Sequence, residues 1–240
     1  HRKTRQDAKR SSLCGKLSRE IIVAAREGGG SPETNIRLRY AIEAARAASM
    51  PNENIEHAIK RGTGEIEGVT YESVTYEGYG PAGVALMISC LTDNKQRTVA
   101  ELRSILKRRD GTLSEPGSVA WVFEPKGVIT IPRSAADEET VFMAAVEAGA
   151  EDVITDDEEY LEVRTPPSEL RKVIDAINAL QLPHERAEIT MIPTTTTPVP
   201  DDQAPKLLSL LEELDEHDDV QKVYANFEIS DEILDQMEGS

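Results

Sequence analysis

The chain has 240 residues, 39% of them hydrophobic, and a formal net charge of −17. That composition excludes a wholly disordered chain, and no apolar run approaches the ~18–20 residues that a membrane helix needs. Only two cysteines, Cys14 and Cys90, are present, which excludes a disulfide scaffold; with no signal-peptide pattern at the start, a reducing, cytoplasmic setting is expected.

Residues 1–9 lack apolar periodicity and read as a basic arm or as an extension of the helix that follows. Leu13, Leu17, Ile21 and Ala24 recur at helical spacing, so a helix is predicted to about Glu27, where Gly28, Gly29 and Gly30 stop it. Ser31 as cap and Pro32 at the first helical position predict a restart, with Leu38, Ala41, Ile42, Ala45 and Ala48 along one face. Pro51 opens a third helix that ends at Gly62, and 62–68 reads as a linker. Three helices with short connections make a small bundle.

Strand-like runs follow at 73–76 and 84–91, separated by a turn-rich stretch. Val99, Leu102, Ile105 and Leu106 mark a helix ending at Gly111, and a strand is expected at 119–123. Next come a strand at 127–131, a helix at 137–149, strands at 152–155 and 160–165, a helix opened by Pro166 and Pro167, and a strand at 187–192. That βαββαβ order is the ferredoxin-like pattern. A polar, proline-bearing connection leads to a helix with Leu207, Leu208, Leu211 and Leu214, and to a strand at 220–229. These last elements find no partners in the completed βαββαβ unit, whereas 69–124 lacks a complement. The expected fold is therefore α+β and multidomain: a basic α-helical domain at 1–68, an α/β middle domain at 69–133 plus 203–240, and an inserted acidic ferredoxin-like domain at 134–202.

Charge follows the same division. Residues 1–61 carry 13 Lys/Arg against 7 Asp/Glu, 62–133 carry 8 against 9, and 134–240 carry 6 against 28. A basic end attracts phosphate and an acidic body is repelled by it, which suits a protein that touches a polyanion with one end. Arg2, Lys3, Arg5, Lys9, Arg10, Lys16 and Arg19 are the candidate nucleic-acid contacts.

Little else carries chemistry. His1, His57, His184 and His217 are solitary and fit no zinc spacing. Cys14, two residues from Lys16, reads as a helical cysteine, and Cys90 as packing. The Gly78, Gly80, Gly83 run matches a dinucleotide fingerprint, but a strand rather than a helix follows it. The acidic runs at 156–159 and 215–219 lack the glycine and alternation of a calcium loop and read as solvated turns. Asp93 or Asn94 caps the helix after the second strand, and Lys95 and Arg97 sit at its positive end, a candidate anion contact. No catalytic set, metal site or cofactor is expected, and no small-molecule substrate or membrane partner.

Several strings resemble YebC-type proteins. They are His1-Arg2-Lys3 with Gln6-Asp7-Ala8-Lys9-Arg10, Ala58-Ile59-Lys60-Arg61-Gly62, Tyr76-Glu77-Gly78-Tyr79-Gly80-Pro81, Leu91-Thr92-Asp93-Asn94, and Asp218-Asp219-Val220 through Tyr224. The resemblance covers nearly the whole chain. It implies a three-domain cytoplasmic protein, a helical domain followed by two α/β domains with the third inserted into the second, and no associated catalytic reaction. Members are described as transcriptional regulators that bind DNA; others resemble translation factors at the ribosome that ease elongation through proline runs. Two departures stand out: the family's opening Gly-His-Ser-Lys-Trp string does not precede His1, and Lys107-Arg108-Arg109-Asp110-Gly111 replaces the family's usual turn, adding a cationic patch.

Two readings follow: a non-enzymatic, DNA-binding regulator of transcription, or a factor acting on ribosomal RNA at the ribosome. An enzyme built on the 76–83 and 93–97 loops lacks an acid/base or nucleophile set. The cations precede the first helix rather than crowd the third, so no helix-turn-helix is assigned, and aromatics at 4% offer no stacking platform. The candidate working surface is Tyr76, Gly78, Tyr79, Gly80, Asp93, Asn94 and Arg97, the glycines permitting close approach of a partner and Arg97 forking onto phosphate or carboxylate.

Overall fold

The computed structural model describes residues 2–230, 232, 233 and 235, with side chains from residue 6 onward. The fold is mixed α and β, a helical region followed by α/β parts, and it divides into two compact units, 1–120 with 196–240, and 121–195.

The first unit opens with α1 (Arg2–Gly28), α2 (Ile36–Ala47) and α3 (Asn52–Thr63). Residues 2–9 are helical, extending α1 well ahead of its first apolar position. Ile21, Ile22, Leu38, Ile42 and Ile55 form the bundle core, and alanines 24, 25, 41, 45 and 58 thin it enough for close helix approach. Ser31 does not cap α2 as expected; its hydroxyl bonds Glu33, and the helix starts later at Ile36. Asn35 is the cap. Its side-chain oxygen accepts from Leu38 N at 3.1 Å, while its amide donates to the Ala24 and Gly29 carbonyls at 2.8 Å each, tying the end of α1 to the start of α2.

The chain continues through β1 (Glu72–Tyr79), β2 (Ala85–Thr92), α4 (Lys95–Arg108) and β3 (Thr112–Ser114). The strand expected at 119–123 is instead a 3-10 turn, Ala120–Val122, leading directly into a longer strand.

The second unit holds β4 (Phe123–Pro132), α5 (Glu138–Ala148), β5 (Asp152–Ile154), β6 (Tyr160–Thr165), α6 (Leu170–Ala179) and β7 (Arg186–Pro193). Its antiparallel sheet runs β5-β6-β4-β7, the ferredoxin-like order. Ile129, Ile131, Leu161 and Val163 pack against Val141, Val173 and Ile177 of the helices. This unit runs from Trp121 to Thr195, and β4 is a central strand of its sheet.

The chain then re-enters the first unit with β8 (Thr197–Pro198), α7 (Ala204–Glu216), β9 (Val220–Ala225) and β10 (Phe227–Glu228). β9 pairs antiparallel with β2, giving the sheet β3-β1-β2-β9, while β8 pairs with β10. Leu86, Ile88, Leu102, Leu106, Leu207 and Leu210 fill the core over this sheet. Among the described residues, no helix is long and apolar enough to cross a membrane.

Candidate nucleic-acid interface

At ~1.5 Å per residue the 27 residues of α1 span about 40 Å, longer than the two helices it packs against. Residues 6–11 are exposed around the whole helical circumference, and burial begins in earnest only at Lys16. Arg2, Lys3 and Arg5 lie on this projecting segment, with side chains outside the described residues. Lys9 sits 3.8 Å from Glu212, both well exposed, a pairing that salt screens readily. Arg10 reaches the Ser49 carbonyl at 3.5 Å. Lys9 and Arg10 are both exposed to solvent.

Lys16 and Arg19, two of the candidate nucleic-acid contacts, are instead turned toward the chain itself. Lys16 is 9% exposed and its ammonium donates to the Asp215 carbonyl. Burial lowers its pKa, and Asp215 and Asp218 pull it back in part. Arg19 donates to the Leu91 carbonyl at 2.9 Å and to Asp219 Oδ1 at 2.7 Å, and its guanidinium lies 4.8 Å from the centre of the Tyr71 ring. One end of α1 is therefore free and cationic, and its middle is bolted to the sheet domain.

Asp219 is the bolt. It is 2% exposed, in a stretch expected to be a solvated acidic turn. Arg97 Nη2 donates to both of its oxygens at 3.0 Å, and Thr98 Oγ1 to Oδ2 at 2.8 Å. Burial pushes the carboxyl up, but the bonds from Arg19, Thr98 and Arg97 outweigh it and hold the group below the usual aspartate range.

Arg97 is thus engaged twice, with Asp219 and with Asp93 at 2.8 Å, and these partners raise its already high pKa further. Of the two partner types expected for it, phosphate or carboxylate, it is carboxylates that it bonds here. Asn94, not Asp93, caps α4, accepting from Arg97 N at 3.1 Å. Tyr76 donates its hydroxyl to the Lys95 carbonyl at 3.4 Å, and burial raises its pKa.

The glycines of this loop approach the chain itself. A Cβ on Gly78 would stand 2.5 Å from the Thr112 carbonyl oxygen of β3, and one on Gly80 3.2 Å from Leu207. Tyr79 remains partly exposed. Sequence reasoning passed over Glu77, which lies between Tyr76 and Gly78. Its buried carboxylate accepts from Gly117 N at 2.6 Å, Val119 N at 2.9 Å and Ala120 N at 2.7 Å, fixing the 115–120 segment. The only signal was a carboxylate in an otherwise strand-forming run.

The extra cations at the end of α4 are also partly spent: Arg108 and Arg109 both pair with Glu213, and Lys206 with Asp110, leaving Lys107 exposed. An open cleft of about 710 Å³ over the bolt is lined by Arg19, Tyr71, Arg97, Glu101 and His217. Glu101, His217 and Asp219 bring ligand atoms within 4.8 Å of one another. They do not form a metal donor set: both Asp219 oxygens accept from Arg97, Arg19 and Thr98, so two guanidiniums oppose a cation there. His217 Nε2 lies 2.5 Å from Glu101, and its Nδ1 accepts from Asp219 N at 3.1 Å. The Cys90 thiol is pushed up to about 12 by burial, which makes it inert.

The chain matches two family models: the TACO1/YebC protein N-terminal domain over residues 1–65, and the TACO1/YebC second and third domain over residues 71–227. A relative from Persephonella marina named "Probable transcriptional regulatory protein" is 56% identical over 99% of this chain and 95% of its own length. One of the same name from Dictyoglomus turgidum is 56% identical over 98% and 94%. The crystal structure of a conserved hypothetical protein from Aquifex aeolicus superposes with a TM-score of 0.85 at 48% identity, covering 95% of this chain and 94% of that one.

Proposed function

This chain belongs to the TACO1/YebC family, and on that premise we propose that it is a non-catalytic, nucleic-acid-binding regulator of gene expression. It grips phosphate with the projecting end of α1. The observation that carries this reading is the division within one helix: residues 6–11 are exposed on all sides and carry Lys9 and Arg10, whereas Lys16 and Arg19 are locked inward. A rigid cationic rod held at its middle places charge beyond the protein body, and the acidic remainder of the chain discourages phosphate elsewhere. The relatives named above carry a name that concerns transcription, and DNA is the target this reading takes.

A second reading, ribosomal RNA at the ribosome, draws support from α3. That helix follows α2 after a short turn, as a groove-reading helix would, yet it exposes Glu53 and Glu56 in its first turns. Carboxylates there oppose entry into a groove, which leaves phosphate and shape as the contacts, and these serve RNA as readily as DNA. Binding to duplex promoter DNA and co-sedimentation with ribosomes, compared at matched salt, separate the two. A preference for ribosomes of more than about tenfold overturns the DNA reading, and the reverse overturns the RNA one. Failure to bind either overturns both.

A further inference from the structure

The second unit carries a patch that its own fold does not use. α5 turns Val141 and Ala145 into the core. Its opposite side shows Phe142 at 49%, Met143 at 65% and Val146 at 44% exposure. Phe142 and Val146 are one turn apart and Met143 lies beside both, so the three form one continuous apolar surface. Single exposed apolar residues are ordinary; three within one turn of a solvent-facing helix are not.

The surroundings are acidic. Glu138 and Glu139 precede the patch by one turn and Glu147 follows it, and α5 bears no cation. Glu138 pairs with Arg133, while Glu139 and Glu147 have no ion pair among the described residues. The unit as a whole holds 6 Lys/Arg against 16 Asp/Glu in residues 121–195.

From this charge complementarity we infer that α5 docks a Lys/Arg-rich amphipathic segment of another protein, which seats apolar side chains between Phe142, Met143 and Val146 and sets its cations against Glu139 and Glu147. Phosphate is repelled by the same ring, so this surface is separate from the nucleic-acid grip. A second copy offering its own α5 would bring glutamates against glutamates. A second copy offering the exposed end of α1 would bring cations but no apolar face, because Ala8 is the single apolar residue in 2–10.

The test uses the full chain and two helical peptides of roughly fourteen residues, one built of Lys and Leu in amphipathic order and one of equal charge with Ser in place of Leu. The Lys/Leu peptide binds, and the Lys/Ser peptide binds at least about tenfold more weakly. Phe142→Ser with Met143→Ser weakens the Lys/Leu peptide about tenfold or more, and Glu139→Gln with Glu147→Gln weakens it in a salt-dependent way. Neutralising the other acidic run, 156–159, leaves binding unchanged. The α5 residues are exposed, so the variants keep their unfolding midpoint, and Met143→Ser alone serves if the double variant does not. Equal binding of both peptides, unchanged binding by the α5 variants, or loss on neutralising 156–159 overturns the inference. Nucleic-acid affinity measured on the same variants stays constant, so this inference and the proposed function fail separately.

Discussion

Arg19 Nη1 lies 2.7 Å from Asp219 Oδ1, a contact that joins residues 200 positions apart and ties the helical bundle to the sheet of the same unit. The same carboxylate takes Arg97 and Thr98 from the start of α4, so one buried acid holds α1, α4 and the approach to β9. Removing it would leave the largely buried Arg19 without its carboxylate and Arg97 with Asp93 alone.

Asp219→Ala is therefore expected to destabilise the chain by about 3 kcal/mol, the scale for breaking one side of a buried ion pair. Denaturant unfolding measures this. A loss of less than about 1 kcal/mol, typical of a surface pair, would contradict the role given to Asp219.

Glu77 makes acid sensitivity testable. Burial raises its carboxyl, but the amides of Gly117, Val119 and Ala120 outweigh burial and hold it below the usual glutamate value of about 4.5. A pKa lower in the folded than in the unfolded chain means that the unfolded chain binds protons first. The stabilisation is complete above about pH 4.5 and is lost as pH falls through the lowered folded value. Glu77→Gln should be less stable than the parent at pH 7, and the gap should narrow below about pH 4.5. A gap independent of pH would contradict this account.

Gly78→Ala tests whether the 76–83 loop serves a partner or the fold. Its new Cβ would meet the Thr112 carbonyl oxygen at 2.5 Å, backbone that cannot rotate away. A destabilisation of about 1–3 kcal/mol is expected, with nucleic-acid affinity unchanged under folding conditions. Unchanged stability with weakened nucleic-acid binding would restore the loop as a partner surface.

Periodicity made much of the fold legible. Leu13, Leu17 and Ile21 announced α1, and the alternation of the second unit announced its six elements in order. Boundaries were less visible. The cations at 2–10 have no apolar stripe, so nothing local distinguished an arm from a helix that projects beyond its packing partners. β3 spans three residues, too few to display a period. The site was legible only as charge. Which of Lys9, Arg10, Lys16 and Arg19 faces solvent depends on where α7 and β9 return, a contact made across about 200 positions that no local pattern encodes. Asp219 looked solvated for the same reason: its neighbours in sequence are acids, and its neighbours in space are Arg19, Arg97 and Thr98.

Lys16→Met separates charge from position. The ammonium is buried and bonded to a carbonyl, so a methionine of similar length should hold stability within about 1.5 kcal/mol and leave nucleic-acid affinity unchanged. A drop in affinity comparable to that of Lys9→Ala with Arg10→Ala would place Lys16 at the phosphate after all.

The most direct test of the central claim is the salt dependence of nucleic-acid affinity in the full chain and in one lacking residues 1–12, which removes Arg2, Lys3, Arg5, Lys9 and Arg10 but keeps the Lys16 and Arg19 anchors. The account predicts weaker binding and a slope of log affinity against log salt that flattens by about 0.7–0.9 for each phosphate no longer neutralised. Unchanged affinity with an unchanged slope would contradict it.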